Sequence, residues 1–102
     1  MSNLNKTIKA DDVLSLVNII DKRKNEDINN SYVASLLKKG VKEIAKKLTE
    51  EAGETSIAAV TDDGRVIDES ADLLFHLLVL LKSQNYLFSD VLKELKNRSF
   101  NQ

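Results

Sequence analysis

The stretch ESADLLFHLLVLL, Glu69 to Leu81, decides the fold. If residues advance about 100° each around a helix axis, Leu73, Leu74, Phe75, Leu77, Leu78, Val79, Leu80 and Leu81 point in nearly every direction, so this helix needs cover on most sides. The run is broken by His76 and is far shorter than the roughly 20 apolar residues of a membrane span, which makes it the core helix of a water-soluble domain. On the same axis Glu69, Asp72, His76 and Ser83 fall within one strip about 60° wide. Carboxylates on an otherwise apolar helix cost several kcal/mol or shift their pKa unless a compensating charge is supplied.

Working outward, the helix is expected from about Val66 to Ser83, after a turn made by TDDG at Thr61 to Gly64. Before the turn, Val41 to about Val60 places Val41, Ile44, Ala45, Leu48, Ala52, Thr55 and Ala59 on one stripe of a long helix. Two long helices joined by so short a turn should lie antiparallel. Upstream, Ser31 can cap a short helix carrying Tyr32, Val33, Leu36 and Leu37, which Gly40 ends. Asp11 or Asp12 opens a first helix with Val13, Leu14, Leu16, Val17, Ile19 and Ile20 at helical spacing, and the polar segment KNEDINN, Lys24 to Asn30, connects it onward. Downstream, Gln84 to Phe88 forms a loop, and Ser89 with Asp90 starts a last helix carrying Val91, Leu92 and Leu95. Lys96 and Arg98 complement its C-terminal end, and residues 1–10 and 99–102 are expected to fray.

Composition agrees with that reading. The chain has 102 residues, no Pro and only three Gly, which fits one mostly helical domain. Fifteen basic residues stand against sixteen acidic ones, so no global field would hold the protein on nucleic acid or an anionic membrane. The absence of Cys removes disulfides, thiolate zinc sites and cysteine nucleophiles. The N-terminal MSNLNKTIKADD has no apolar leader, so a cytoplasmic protein is expected. The expected fold is an all-α antiparallel helical bundle of one domain over residues 1–102. Its most apolar helix demands more cover than one such chain supplies, so a homodimer should complete the core.

The acids of the first long helix lie beside its apolar stripe. With Leu48 at 0°, Glu51 falls near about −60°, Glu54 near −120° and Glu50 near −160°. Such a ridge can be a solvated face, but it confronts the strip on the following helix. Glu51 with Glu54, and Glu69 with Asp72, are then two i, i+3 pairs on antiparallel helices. Neighbouring Lys or Arg could neutralise them, and so could a divalent cation. Four carboxylates select Mg²⁺ or Mn²⁺ over zinc. A di-iron bundle would use Glu-x-x-His pairs, and the single His76 stands four residues after Asp72.

SYVASLLKKG (Ser31 to Gly40), KKLTEEAGE (Lys46 to Glu54) and ESADLLFHLLVLL, together with LVNIIDKRK before the serine-tyrosine pair, closely resemble the phosphoribosyl-ATP pyrophosphatase family, over about Asp12 to Arg98. The E-E-x-x-E and E-x-x-D elements are shared with the wider MazG-like all-α nucleotide pyrophosphohydrolases. Serine-tyrosine, the glycine that follows and D-L-L-F-H are more specific. Asn29 and Asn30 stand where members often carry a proline, a departure that bears on the loop conformation.

The resemblance implies Mg²⁺-dependent hydrolysis of phosphoribosyl-ATP to phosphoribosyl-AMP and pyrophosphate, the second step of histidine biosynthesis. It places the metal-ligand pattern on Glu51, Glu54, Glu69 and Asp72 and leaves Glu50 as the spare acid, a candidate to accept the proton of the attacking water. A polyphosphate also needs cationic donors, for which Lys47, Lys46, Ser31 and Arg23 are the candidates. Lys47 could equally pair with Glu51 at i, i+4, and Ser31 could be a plain N-cap. Tyr32 and His76 read as core side chains, each with one satisfied hydrogen bond. A house-cleaning nucleoside triphosphate pyrophosphohydrolase and a silent helical dimerisation module are the rival readings. The cyclohydrolase step that follows in the pathway uses cysteine-bound zinc, so a separate protein is expected to perform it.

Overall fold

A computed structural model describes residues 10–99 of the chain. Five helices follow one another: α1 (Ala10–Arg23), α2 (Tyr32–Lys39), α3 (Val41–Thr61), α4 (Val66–Ser83) and α5 (Phe88–Ser99). No strand occurs among the described residues, and the all-α expectation holds. Of the fraying expected at residues 1–10 and 99–102, residues 1–9 and 100–102 lie outside the described residues, while Ala10 and Ser99 belong to α1 and α5.

Local chemistry sets the boundaries. The Ser31 hydroxyl accepts the Ala34 N–H at 3.1 Å and so satisfies one of the orphan donors at the start of α2. Gly40 separates α2 from α3 at φ 98°, where a side chain would be strained, and its N–H returns to the Leu36 carbonyl. Asp62 closes α3 in the left-handed region at φ 52°, and the Asp63 carboxylate accepts the Arg65 N–H at 2.9 Å just before α4 begins. The turn therefore carries its own donors and acceptors, as the TDDG composition predicts.

α3 and α4 form the most extensive helix pair. The core gathers Ile20 of α1, Val33 and Leu36 of α2, Ile44 of α3, and Leu78 and Val79 of α4. Asp21 ties α1 to α4 by accepting from Lys82 Nζ at 2.7 Å, with Lys24 Nζ at 3.2 Å. Lys82 first and Lys24 second hold the Asp21 carboxyl below the usual aspartate range.

Two expectations need correction. Of the stripe assigned to α3 only Ile44 is buried, and the second buried residue is Ala58 rather than Ala59. On α4, Ala71 and Leu74 are exposed and Leu73, Phe75 and Leu77 only half-buried, because α1, α2 and α3 of a single chain cannot surround it. Ile67 is 79% exposed and Val60 86% exposed. Of the apolar residues between Leu73 and Leu81 for which sequence demanded cover, Leu74 alone is exposed in one copy of the chain, and Val60 and Ile67 near the turn extend the open surface.

Candidate active site

The α3–α4 hairpin brings the acids together by register. Along the hairpin Glu54 of α3 meets Glu69 of α4, and Glu51 and Asp72 each stand three residues further from the turn. Carboxylate oxygens of Glu51, Glu69 and Asp72 lie within 4.8 Å of one another. Glu54 lies outside that trio but within hydrogen-bonding reach of Glu69. Burial, with the Glu54 carboxylate second, pushes the Glu69 carboxyl above the usual glutamate range. Glu51 is half-buried, and its Oε2 is a buried oxygen with no hydrogen-bond partner. Leaving such an acceptor unsatisfied costs roughly 1–3 kcal/mol, more for a charged group, so this atom calls for a cation or a donor from outside the chain.

Asp72 is exposed, not enclosed in apolar surroundings as the strip on α4 suggests. The reason is that the uncovered side of α4 reaches its edge. Glu50 is exposed and not one of the trio, and its Oε1 lies 4.0 Å from Lys47 Nζ. Lys47 therefore approaches Glu50 rather than the expected Glu51. Lys46 is exposed on the same helix. Ser31 is buried, and its hydroxyl is spent twice on structure: it accepts from Ala34 N–H and donates to the Arg23 carbonyl at 3.3 Å. Arg23 is exposed at the end of α1.

Sequence reasoning passed over Arg65 and misread two groups in part. Arg65 reaches toward Asp68 and Glu69, both at 3.8 Å, and partly offsets the negative charge; its i, i+4 spacing to Glu69 was the available signal. His76 is buried as expected but makes two hydrogen bonds, to the Asp72 carbonyl (Nδ1, 2.7 Å) and to the Tyr32 hydroxyl (Nε2, 3.0 Å). Tyr32 is not a core residue: it is half-exposed, stacked on Phe75 with ring centroids 5.9 Å apart. No helical periodicity announces a contact between residues 44 positions apart.

An acidic cluster with an orphaned oxygen, cations along one edge and an aromatic group one turn away can hold a hard divalent cation and the phosphates it attracts. The chain is similar over residues 13–99 to the family model described as phosphoribosyl-ATP pyrophosphohydrolase. It is 52% identical over 84 residues to the phosphoribosyl-ATP pyrophosphatase of Parvibaculum lavamentivorans, covering 81% of this chain and 77% of that protein. It is 51% identical over 84 residues to the histidine biosynthesis bifunctional protein HisIE of Campylobacter jejuni, covering 81% of this chain and 41% of the relative. The HisIE of Buchnera aphidicola from Schizaphis graminum is 49% identical over 84 residues, again 81% of this chain and 41% of the relative. The chain thus spans less than half the length of the bifunctional relatives.

Proposed function

Because the chain belongs to the phosphoribosyl-ATP pyrophosphohydrolase family, we propose that it hydrolyses phosphoribosyl-ATP to phosphoribosyl-AMP and pyrophosphate in histidine biosynthesis. The observation that carries the reading is the unpartnered Glu51 Oε2 beside the carboxylates of Glu69 and Asp72. An all-oxygen donor set fits Mg²⁺, with Mn²⁺ as a substitute, and Glu51, Glu54, Glu69 and Asp72 are the residues that would hold it. When bound, the ion supplies charge neutralisation and Lewis-acid polarisation at phosphate oxygens.

The remaining roles fall to the chain's own groups. Lys47 and Lys46 stand one helical turn before the acids and Arg23 at the end of α1, where they offer donors to phosphate oxygens. Glu50, exposed and outside the trio, is the carboxylate placed to take a proton from water. Ser31 serves the site indirectly by fixing the start of α2.

The working unit is a homodimer in the cytoplasm. Its support is the apolar surface left open on α3 and α4, where Ala45 and Ala59 are exposed fourteen residues apart on one face, and Val60, Ile67 and Leu74 are uncovered. No helix among the described residues is long and apolar enough to cross a bilayer.

Pyrophosphate release tests the reading. Purified protein with Mg²⁺ is expected to release it from phosphoribosyl-ATP in preference to a panel of nucleoside triphosphates, and to stop in excess EDTA. Preference for a nucleoside triphosphate would replace the substrate by that of a house-cleaning enzyme. Full turnover in EDTA would remove the metal.

A further inference from the structure

Tyr32 combines two properties that rarely coincide. It is 51% exposed, yet it is held on three sides. Its ring lies over Phe75 with an interplanar angle of 20°, and meets the His76 ring edge-on at 5.8 Å. Its hydroxyl is fixed by a chain of hydrogen bonds whose direction can be read from chemistry. The Asp72 carbonyl can only accept, so His76 Nδ1 at 2.7 Å carries the hydrogen; in that tautomer Nε2 accepts, and Tyr32 Oη at 3.0 Å donates to it. A tyrosine exposed merely for lack of cover would keep its rotational freedom. This one presents a large aromatic surface already immobilised, the property that makes tyrosine effective in binding sites.

Beside it runs a groove of about 310 Å³ whose walls include Leu16 and Ile19 of α1, Val33 of α2, the Tyr32 and Phe75 rings, and Arg23. Its lining is apolar and aromatic with one cationic residue, and its volume is in the range of small-molecule sites. Flat heteroaromatic rings stack on such surfaces, and an attached anion would meet the guanidinium. The groove is also next to the acids: Phe75 and His76 follow Asp72 on α4 by three and four residues, roughly 4.5–6 Å along the axis. One nucleotide can therefore touch both.

We propose that this groove receives the purine base of the substrate, with Tyr32 and Phe75 as its aromatic wall and Arg23 facing a phosphate. The proposal rests on the anhydride-hydrolysing reading and assigns that reaction its base-recognition surface. A groove suits this ligand better than a closed pocket, because the purine of phosphoribosyl-ATP bears a phosphorylated ribose on two sides. One substituent leads toward the acids and the other toward Arg23.

The chain has two tyrosines, so a sample labelled with ¹³C only in tyrosine reports Tyr32 and carries Tyr86, which borders a different groove, as internal control. AMP added without metal is expected to shift the Tyr32 ring signals and leave those of Tyr86, while ribose 5-phosphate moves neither. Tyr32→Ala should raise KM for phosphoribosyl-ATP by about ten- to a hundredfold, the range expected when a base loses its stacking partner, with the loss carried in KM rather than kcat. Tyr32→Phe keeps the ring and should lose less than about fivefold. Should Tyr32→Ala fail to fold, Ile19→Trp fills the groove from an exposed position and should weaken the AMP shifts. Unmoved Tyr32 signals, equal shifts with ribose 5-phosphate, or a folded Tyr32→Ala with unchanged KM would each overturn the assignment. A chain that hydrolyses phosphoribosyl-ATP while the AMP titration fails loses only the groove. AMP shifts at Tyr32 in a chain inactive on that substrate would leave the groove standing and remove the reaction.

Discussion

Replacing Ile67 by Asp tests whether the open face of the hairpin is where two copies meet. With 79% of Ile67 in solvent, the change removes little that one chain uses, and the fold of a single copy should be altered by less than about 0.5 kcal/mol. In a dimer the same surface is covered. Full burial of an isoleucine side chain contributes about 1.5–3 kcal/mol, so the exposed part is worth about 1–2.5 kcal/mol per protomer and about 2–5 kcal/mol over both. At 1.4 kcal/mol per decade the dissociation constant should rise by at least about thirtyfold, before the cost of burying two carboxylates is added. Sedimentation equilibrium over a concentration series measures it, with Ile28→Asp in the α1–α2 connection as a control that should leave association unchanged. A wild-type chain that sediments as a folded monomer at micromolar concentration, or an Ile67→Asp dimer of wild-type affinity, would refute the reasoning.

Amide replacements at the acids should separate folding from chemistry: Glu54→Gln and Asp72→Asn are expected to keep the helical circular dichroism and lower turnover by at least about a hundredfold, and near-normal turnover with unchanged Mg²⁺ dependence would reject the ligand assignment. Glu94→Gln, which touches only the surface pair with Arg98 at 2.8 Å, should change neither. Ser31→Ala removes a buried cap and should cost about 1 kcal/mol, a melting temperature lower by about 4–8 °C, with KM unchanged; a raised KM without destabilisation would return Ser31 to the phosphate site. Asp21, whose folded pKa lies below its unfolded value, contributes stability that is complete above the unfolded pKa and disappears as pH falls through the folded one. Melting curves of Asp21→Asn and wild type should therefore differ at neutral pH and converge below about pH 4, and a constant difference across that range would show that Asp21 acts by packing alone.

The helices were legible because their punctuation is local. Ser31, Gly40 and the TDDG turn act within four residues of themselves, and the chain contains no proline to override them. The meeting of the acids was legible for a related reason, since one short turn fixes the register of α3 on α4 and brings Glu51 to Asp72. What could not be read depends on the third dimension between elements distant in sequence. The Tyr32–His76 hydrogen bond and the Asp21–Lys82 pair join α2 and α1 to α4, and the packing that aligns them leaves no periodic trace. Exposure of Leu74 and Asp72 was misjudged because periodicity states how apolar a helix is, not how many neighbours one chain can bring to it.

The dominance of the α3–α4 hairpin has a kinetic meaning. Its contacts join residues close in sequence, so the loop to be closed is short and its entropy cost low, the condition under which helical domains fold within micro- to milliseconds. No proline isomerisation and no disulfide exchange can add a slow phase, because the chain contains neither proline nor cysteine. On the proposed homodimer, the one step left to be slow is the encounter of two chains. Refolding should then show a fast phase independent of protein concentration and a second whose rate rises with it, and activity should return with the second.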